Sequence, residues 1–199
     1  MSAFPHSGAF QSFAPFFTIE AEAPGDVPAR EALLDAAMGP GRTRKSSEAI
    51  RRGRLPAEGL SLVARDGLGR LVGTVRLWNI AAGSRGGDAV PALLLGPLAV
   101  DPALKGSGIG SSLMRRAIAE AAWRGHKAIL LVGDPEYYER FGFSAAATGA
   151  LAMPGPFEPR RLLALEFLPR HLHEAIGLVE AAGRLAPESA VDTELPAAA

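Results

Sequence analysis

The sequence predicts an α/β layer fold, a mixed sheet flanked by helices, and three observations carry that prediction. Short apolar runs of strand length alternate along the chain with longer stretches of helical periodicity. The run Leu93 to Val100, L-L-L-G-P-L-A-V, is apolar throughout, as a strand covered on both faces must be. Directly after it, V-D-P-A-L-K-G-S-G-I-G-S-S places Gly106, Gly108 and Gly110 at alternate positions and leads into a long amphipathic segment. The chain contains no internal repeat.

Each element has its own signal. Phe16 to Ala21 reads as a first strand, and Val27 to Met38 and Ser46 to Arg54 read as helices, the second opened by Ser46 or Ser47 as a cap. Leu60 to Arg65 and Leu71 to Ile80 read as strands joined by the hairpin turn Asp66-Gly67-Leu68-Gly69. After the strand Leu93 to Val100 come a helix from Ser107 to Arg124 stopped at Gly125, a strand Ala128 to Val132 and a helix Pro135 to Phe141. Leu162 to Phe167 reads as the last strand, followed by a helix from Pro169 or Arg170 to about Ala182. Gly39 to Arg44 and Ala81 to Val90 read as flexible connections of the kind that border substrate sites.

Composition narrows the class of protein. A chain of 199 residues with 48% hydrophobic and 7% aromatic content suits one globular domain, expected over residues 15–184. The Ala-, Pro-, Ser- and Glu-rich ends, 1–14 and 185–199, read as a loosely ordered arm and tail. Lys plus Arg equals Asp plus Glu at 21 each, so no strong field draws the chain to nucleic acid or to a membrane surface. The absence of cysteine excludes a disulfide scaffold, a thiol nucleophile and a Cys-ligated zinc. The first residues carry neither a basic region nor a continuous apolar segment, and a cytoplasmic location is expected.

Gly96-Pro97 interrupts the apolar strand at its middle. Proline has no N–H for the ladder, so a bulge or splaying is expected there, leaving backbone groups of Leu98 and Val100 open to an extended amide-bearing ligand. The glycines that follow suit an anion, because the first turn of a helix has N–H groups without intrahelical partners at the positive end of its dipole. The spacing G-x-G-x-G is not the G-x-G-x-x-G of dinucleotide sites. Gly39 to Ser46 fails as a P-loop because Arg44 stands where its second glycine belongs. A plain Gly-rich turn remains the bland alternative. A ligand with a pyrophosphate at one end and two amides along its arm is coenzyme A.

Lys105-Gly106-Ser107-Gly108-Ile109-Gly110 resembles the acyl-CoA signature of the GNAT superfamily of N-acetyltransferases, Q/R-x-x-G-x-G/A after a strand ending V-x-P. Ala128 to Phe143, A-I-L-L-V-G-D-P-E-Y-Y-E-R-F-G-F, is similar to the family's next strand and helix, and its G-D-P-x-Y-Y-x-R-F-G-F wording resembles a bacterial subgroup described only as predicted N-acetyltransferases. The resemblance covers most of residues 15–165, and Lys105 departs from the family's Gln or Arg, keeping a cation but losing the planar fork.

The resemblance implies a GNAT-like, mostly antiparallel central sheet splayed at the acyl-CoA strand and flanked by helices. It also implies acetyl-CoA as acyl-donor co-substrate and no metal. Leu98, Ala99 and Val100 together with Lys105, Gly106, Ser107, Gly108, Ile109, Gly110 and Ser111 would bind the donor, and Tyr138 would be the general acid. The acceptor would be an amine on a small molecule or a protein, attacking directly, with no nucleic-acid or membrane partner, and a homodimer is compatible with the family. A non-catalytic acyl-CoA-binding module and a donor longer than acetyl are the alternatives.

Other positions are less decided. The base is open between Asp134, Glu136 and a held water, Asp134 before Pro135 reading first as a helix cap. Tyr137 or Tyr138 fills the core, being adjacent on one short helix. His171 and His173 read as solvated helix residues rather than metal ligands. The basic run Arg42-Thr43-Arg44-Lys45 with Arg51, Arg52 and Arg54 would receive an acidic substrate or the adenosine 3′-phosphate, or be a solvated face. Arg76 and Trp78 are expected near the acceptor pocket, with core packing the default for Trp78.

Overall fold

Period-two alternation builds the sheet and decides what lies on each face. The structure, a computed structural model, describes residues 17–44 and 46–187, so the expected arm 1–14 and the tail beyond 187 lie outside the described residues. In chain order the elements are β1 (Phe17–Ala21), α1 (Val27–Met38), α2 (Ser46–Arg51), β2 (Ser61–Asp66), β3 (Leu71–Arg85), β4 (Asp88–Val100), α3 (Ile109–Trp123), β5 (Ala128–Val132), α4 (Pro135–Tyr138), β6 (Leu151–Ala152), β7 (Leu162–Glu166) and β8 (Ile176–Ala181). The sheet of eight strands runs β1-β2-β3-β4-β5-β7, with β8 on the far half of β3 and β6 beside β8. Among the described residues only β4/β5 and β6/β8 are parallel, which is the expected mixed, mostly antiparallel α/β sheet.

Leu93 and Leu95 of β4, with Ile129 and Leu131 of β5, point to one face, and Ala92, Leu94 and Leu130 to the other. The first face packs on α3 through Ile109, Leu113, Met114, Ala117 and Ala121, a helical stripe. Helix and sheet meet closely at Gly73, where a Cβ would stand 2.8 Å from Ile109 Cγ2 and 2.9 Å from Leu113 Cδ1. The opposite face is covered by Ile50 of α2 and by Met153, Leu172 and Ala175. Cover on both faces is why these strands read as unbroken apolar runs.

Five expectations need correction. Ala81 to Val90 is no loose connection: β3 and β4 continue as one long hairpin turning at Gly86 and Gly87, both at positive φ. Its small residues give a weak strand signal, but β8 pairs on the outer side of β3 from Ile80 to Ser84 and fixes it. Gly39 to Arg44 is likewise held, its 3-10 turn tied back to α1 by Arg42 through Asp35 and Glu31. The helix expected over 169/170–182 is instead a set of turns, with Arg170 and Glu174 at positive φ, leading into β8. Gly177 at φ 104 cannot belong to a helix, and pairing with β3 overrides the helical pattern. His171 accordingly is buried rather than solvated, its Nε2 2.7 Å from the Pro91 carbonyl oxygen, while His173 is exposed. Leu185 and Ala186, expected to begin the tail, pair with Arg54 and Gly53.

Candidate active site

The sheet opens where Gly96-Pro97 predicted it would. β4 skips a residue against β3, Val75 facing Leu98 but Leu77 facing Leu95, so that Gly96 and Pro97 stand opposite Arg76 alone. On the other side β4 pairs with β5 only at Leu93 and Leu94 and then diverges. Trp78 buttresses the bulge, its buried indole N–H donating to the Gly96 carbonyl at 2.6 Å, and Arg76 stacks on that ring while pairing with Glu22. Neither lines a cavity at the bulge; both hold its shape from behind.

The ladder alternation then orients the free backbone. Asp101 N–H donates to the Val72 carbonyl at 2.9 Å, which makes Thr74/Ala99 the next hydrogen-bonded pair and leaves Val75/Leu98 and Gly73/Val100 as non-bonded ones. Leu98 and Val100 therefore turn their N–H and C=O groups away from β3 into the gap, and Ala99 spends its own on the ladder.

Past Val100 the chain makes a 3-10 turn, Pro102–Leu104, in which the Asp101 carboxylate accepts from Ala103 N–H at 2.9 Å. Lys105 N–H bonds the Pro102 carbonyl and Ser107 N–H bonds the Leu104 carbonyl, so neither amide is free. Gly106 and Gly108 both sit at φ 87, the conformation that favours glycine, and a Cβ on either would meet nothing within 4 Å. The space over them is open. α3 starts at Ile109 rather than Ser107, with Gly108 as N-cap and Ser112 N–H making its first turn bond to the Gly108 carbonyl. Among the described residues, the N–H groups of Gly108, Ile109, Gly110 and Ser111 have no partner, and Ser107 Oγ is buried without one. Lys105 is exposed beside them.

Two cavities meet at this gap. One of about 290 Å³ is lined by Val100, Gly110 and Tyr137 on the cradle side. The other, about 210 Å³, lies beyond the bulge between β4, β5 and α2, with Arg42, Glu48, Arg51 and Arg161 in its wall. Leu98, Asp134 and Tyr138 line both. Arg42 and Arg51 of the basic run thus stand past the bulge from the cradle, whereas Arg54 bonds the Gly183 carbonyl at 2.6 Å.

Tyr138 is held by packing. Its ring lies on Gly133, where a Cβ would come within 2.1 Å of Tyr138 Cε2, and it meets Tyr137 and Phe143 edge-on at 4.9 and 6.1 Å. Burial foremost, and then Tyr137 and Asp134, push its phenol up to about 12, so it holds its proton across the working range. Tyr138 is the tyrosine packed on the core, while Tyr137 reaches toward Gly110 and carries Arg140 over its ring at 4.1 Å. Asp134 occupies the N-cap position of α4 but caps nothing with its side chain, a correction to its reading as a cap; its Oδ1 is 3.2 Å from Arg161 Nη2. Glu136 points away, 3.7 Å from Arg160, and lines neither cavity. Among the described residues no cluster of acidic or histidine side chains could hold a metal.

A relative named as an uncharacterized N-acetyltransferase, YhbS of Escherichia coli K12, is 30% identical over 129 residues, which span 65% of this chain and 74% of that one. The family model described as acetyltransferase (GNAT) domain matches residues 57–145. The chain belongs to the GNAT family of acetyltransferases. The acetyltransferase also resembles another uncharacterized N-acetyltransferase of the same organism, YjhQ, at 36% identity over 64 residues, 32% of this chain and 35% of that one. Among solved structures, E. coli YhbS in complex with CoA superposes with a TM-score of 0.70 at 28% identity, covering 84% of this acetyltransferase and 90% of YhbS. A GNAT acetyltransferase of Brucella melitensis in complex with acetyl-CoA gives 0.54 at 28% identity, over 76% and 97% of the two chains.

Glu48, Arg51, Gly133 and Arg161 had no site signal in the sequence beyond the basic run that holds Arg51. They converge only because β4 and β5 part and α2 closes over the opening.

Proposed function

We propose that the enzyme moves acetyl from acetyl-CoA to a primary amine by direct attack, with the donor over the cradle and the acceptor in the cavity beyond the bulge. The observation that carries this is the meeting of the two cavities at Leu98, Asp134 and Tyr138. The unpartnered N–H groups of Gly108 to Ser111 and the open space over Gly106 and Gly108 fit a pyrophosphate. Leu98 and Val100, turned into the gap, fit the amides of the donor's arm as an added strand. Ala99, bonded on the other side, spaces them, and Lys105 adds a cation at the mouth.

Each residue's task follows from where charge moves. Most amines are protonated at neutral pH and must lose that proton before the nitrogen can attack. Asp134, the carboxylate common to both cavities, takes it and passes it to solvent. Leu98 N–H donates to the thioester oxygen as that atom gains charge. The new C–N bond forms as C–S breaks, and Tyr138, a phenol that keeps its proton, gives it to the departing sulfur. The proton shed by the acetylated nitrogen restores Tyr138, so the sum is amide, CoA thiol and one released proton.

Calorimetric titration with acetyl-CoA tests the reading. The intact enzyme should bind with micromolar affinity, and Gly108→Glu, which adds bulk and negative charge where the backbone needs positive φ, should abolish it. An intact enzyme that takes up neither acetyl-CoA nor CoA overturns it.

A further inference from the structure

The geometry points to an acceptor that carries a carboxylate as well as its amine, a small amino acid-like zwitterion bound through Arg51. This rests on the acetyl transfer proposed above and names its substrate class. The cavity beyond the bulge has three guanidinium groups in its wall, and two are committed. Arg42 bonds Asp35 Oδ1 at 2.7 Å and Glu31 Oε2 at 2.5 Å. Arg161 lies 3.2 Å from Asp134 and 3.8 Å from Glu158.

Arg51 is different. Its residue is 9% exposed, and among the described residues it makes one carboxylate contact, Nη2 to Glu48 Oε2 at 2.8 Å, while its buried Nε has no partner. Nη1 faces Gly96, 3.6 Å from where a Cβ would be, at the bulge itself. A guanidinium has five donors in a planar fork, and a buried donor without a partner is costly. The group that matches such a fork in plane and charge is a second carboxylate, taken bidentately. Burial is also the main influence pulling the Arg51 pKa down from its ordinary value, which an incoming anion would offset.

The rest of the cavity completes the match. Glu48 and Asp134 put negative charge on the same wall, so a zwitterion sets its carboxylate on Arg51 and its ammonium toward these acids, beside Tyr138 and Leu98. About 210 Å³ is the room of roughly seven waters, enough for a small molecule. The opposed charges on one wall favour a zwitterion over a plain alkylamine, which leaves the Arg51 fork unmatched, and over a plain carboxylate, which binds Arg51 alone and more weakly.

Paired acceptors test this: glycine against methylamine, 4-aminobutyrate against butylamine, phenylalanine against phenethylamine, lysine against cadaverine. Thiol release from acetyl-CoA gives kcat/KM for each, and thermal shift without acetyl-CoA reads binding of the same compounds directly. For at least one pair the carboxylate-bearing member should be favoured by about 10- to 100-fold. Arg51→Gln should shrink that ratio to within about threefold, through KM. Acetyl-CoA affinity reports whether the variant is folded. Should it not fold, competition in the unaltered enzyme decides: butyrate must compete with the amine and butyramide must not. Preference for the decarboxylated amines, equal use of both members of every pair, an unchanged ratio in a folded Arg51→Gln, or butyramide competing as well as butyrate overturns the inference. Failure of acetyl-CoA to bind would remove the proposed transfer instead, and the thermal shift with zwitterion against amine would still decide the acceptor class.

Discussion

Replacing Gly133 by alanine should slow the enzyme by moving a ring it never touches chemically. The added Cβ would stand 2.1 Å from Tyr138 Cε2, 2.8 Å from Cδ2 and 3.1 Å from Leu131 Cδ1. Carbon atoms settle at about 3.5 Å, so the tyrosine ring has to retreat by roughly 1.4 Å. The backbone does not resist, since Gly133 lies outside the positive-φ region, and the effect falls on side chains, chiefly the ring, with a few tenths of an ångström asked of Leu131. Overpacking of this size costs about 1–3 kcal/mol of stability. A misplacement of about 1 Å at a reacting group costs on the order of 100-fold, about 2.7 kcal/mol of barrier. We expect kcat for thiol release to fall by about that factor while calorimetric affinity for acetyl-CoA changes little. Gly133→Ala combined with Tyr138→Phe should be no more than about threefold slower than Tyr138→Phe alone, because both act through one hydroxyl. Wild-type kcat in a folded Gly133→Ala enzyme, or full additivity of the two changes, would refute Tyr138 as the positioned acid.

Tyr138→Phe itself should lower kcat by roughly 100-fold or more at every pH while acetyl-CoA still binds. Because burial carries the phenol up to about 12, the native pH–rate profile should show no fall near pH 10 that the phenylalanine variant removes; such a fall would mean that the ring is solvated. The same raised value means that whatever stability the protonated phenol contributes is complete below about pH 10 and is lost as pH rises through about 12. At the acid end, Arg65 beside Asp26, at 2.6 Å, and then Ala23 N–H at 2.9 Å hold the Asp26 carboxyl below its usual range. Its contribution is present above about pH 4 and lost as pH falls through the depressed value. Asp26→Asn should therefore start from a lower Tm at pH 7 and lose less of it on acidification than the native chain. A parallel loss in both would show that this pair does not govern the acid limb.

The sheet was legible wherever burial on two faces wrote itself as a continuous apolar run, as in β4 and β5, and where chain chemistry marked a stop, as at Gly125. α1 and β5 run over the spans their periodicity indicates. The far ends were not legible, for a shared reason. Ala81 to Arg85 and Ile176 to Ala181 are each poor strands alone, and they pair with one another. A long-range partner leaves no local trace, so the first reads as loop and the second as helix. The proposed donor side is likewise written in one contiguous stretch, Leu98 to Ser111, while the proposed acceptor side gathers Glu48 and Arg51 of α2, Asp134 and Arg161 from three segments.

Gly96-Pro97 ties these two halves together. Because proline offers no ladder N–H, β4 bulges against β3 and parts from β5 at one and the same place, and Trp78 locks the bulge through the Gly96 carbonyl. The parting frees Leu98 and Val100 on the cradle side and opens, on the other, the cavity into which α2 carries Glu48 and Arg51. An unbroken strand pair there would close both. The cavity that holds Arg51 is therefore no independent graft on the fold: the defect that frees Leu98 and Val100, where we propose that the donor adds on as a strand, also makes the chamber in which Arg51 is buried, so the proposed donor and acceptor sites share one structural cause.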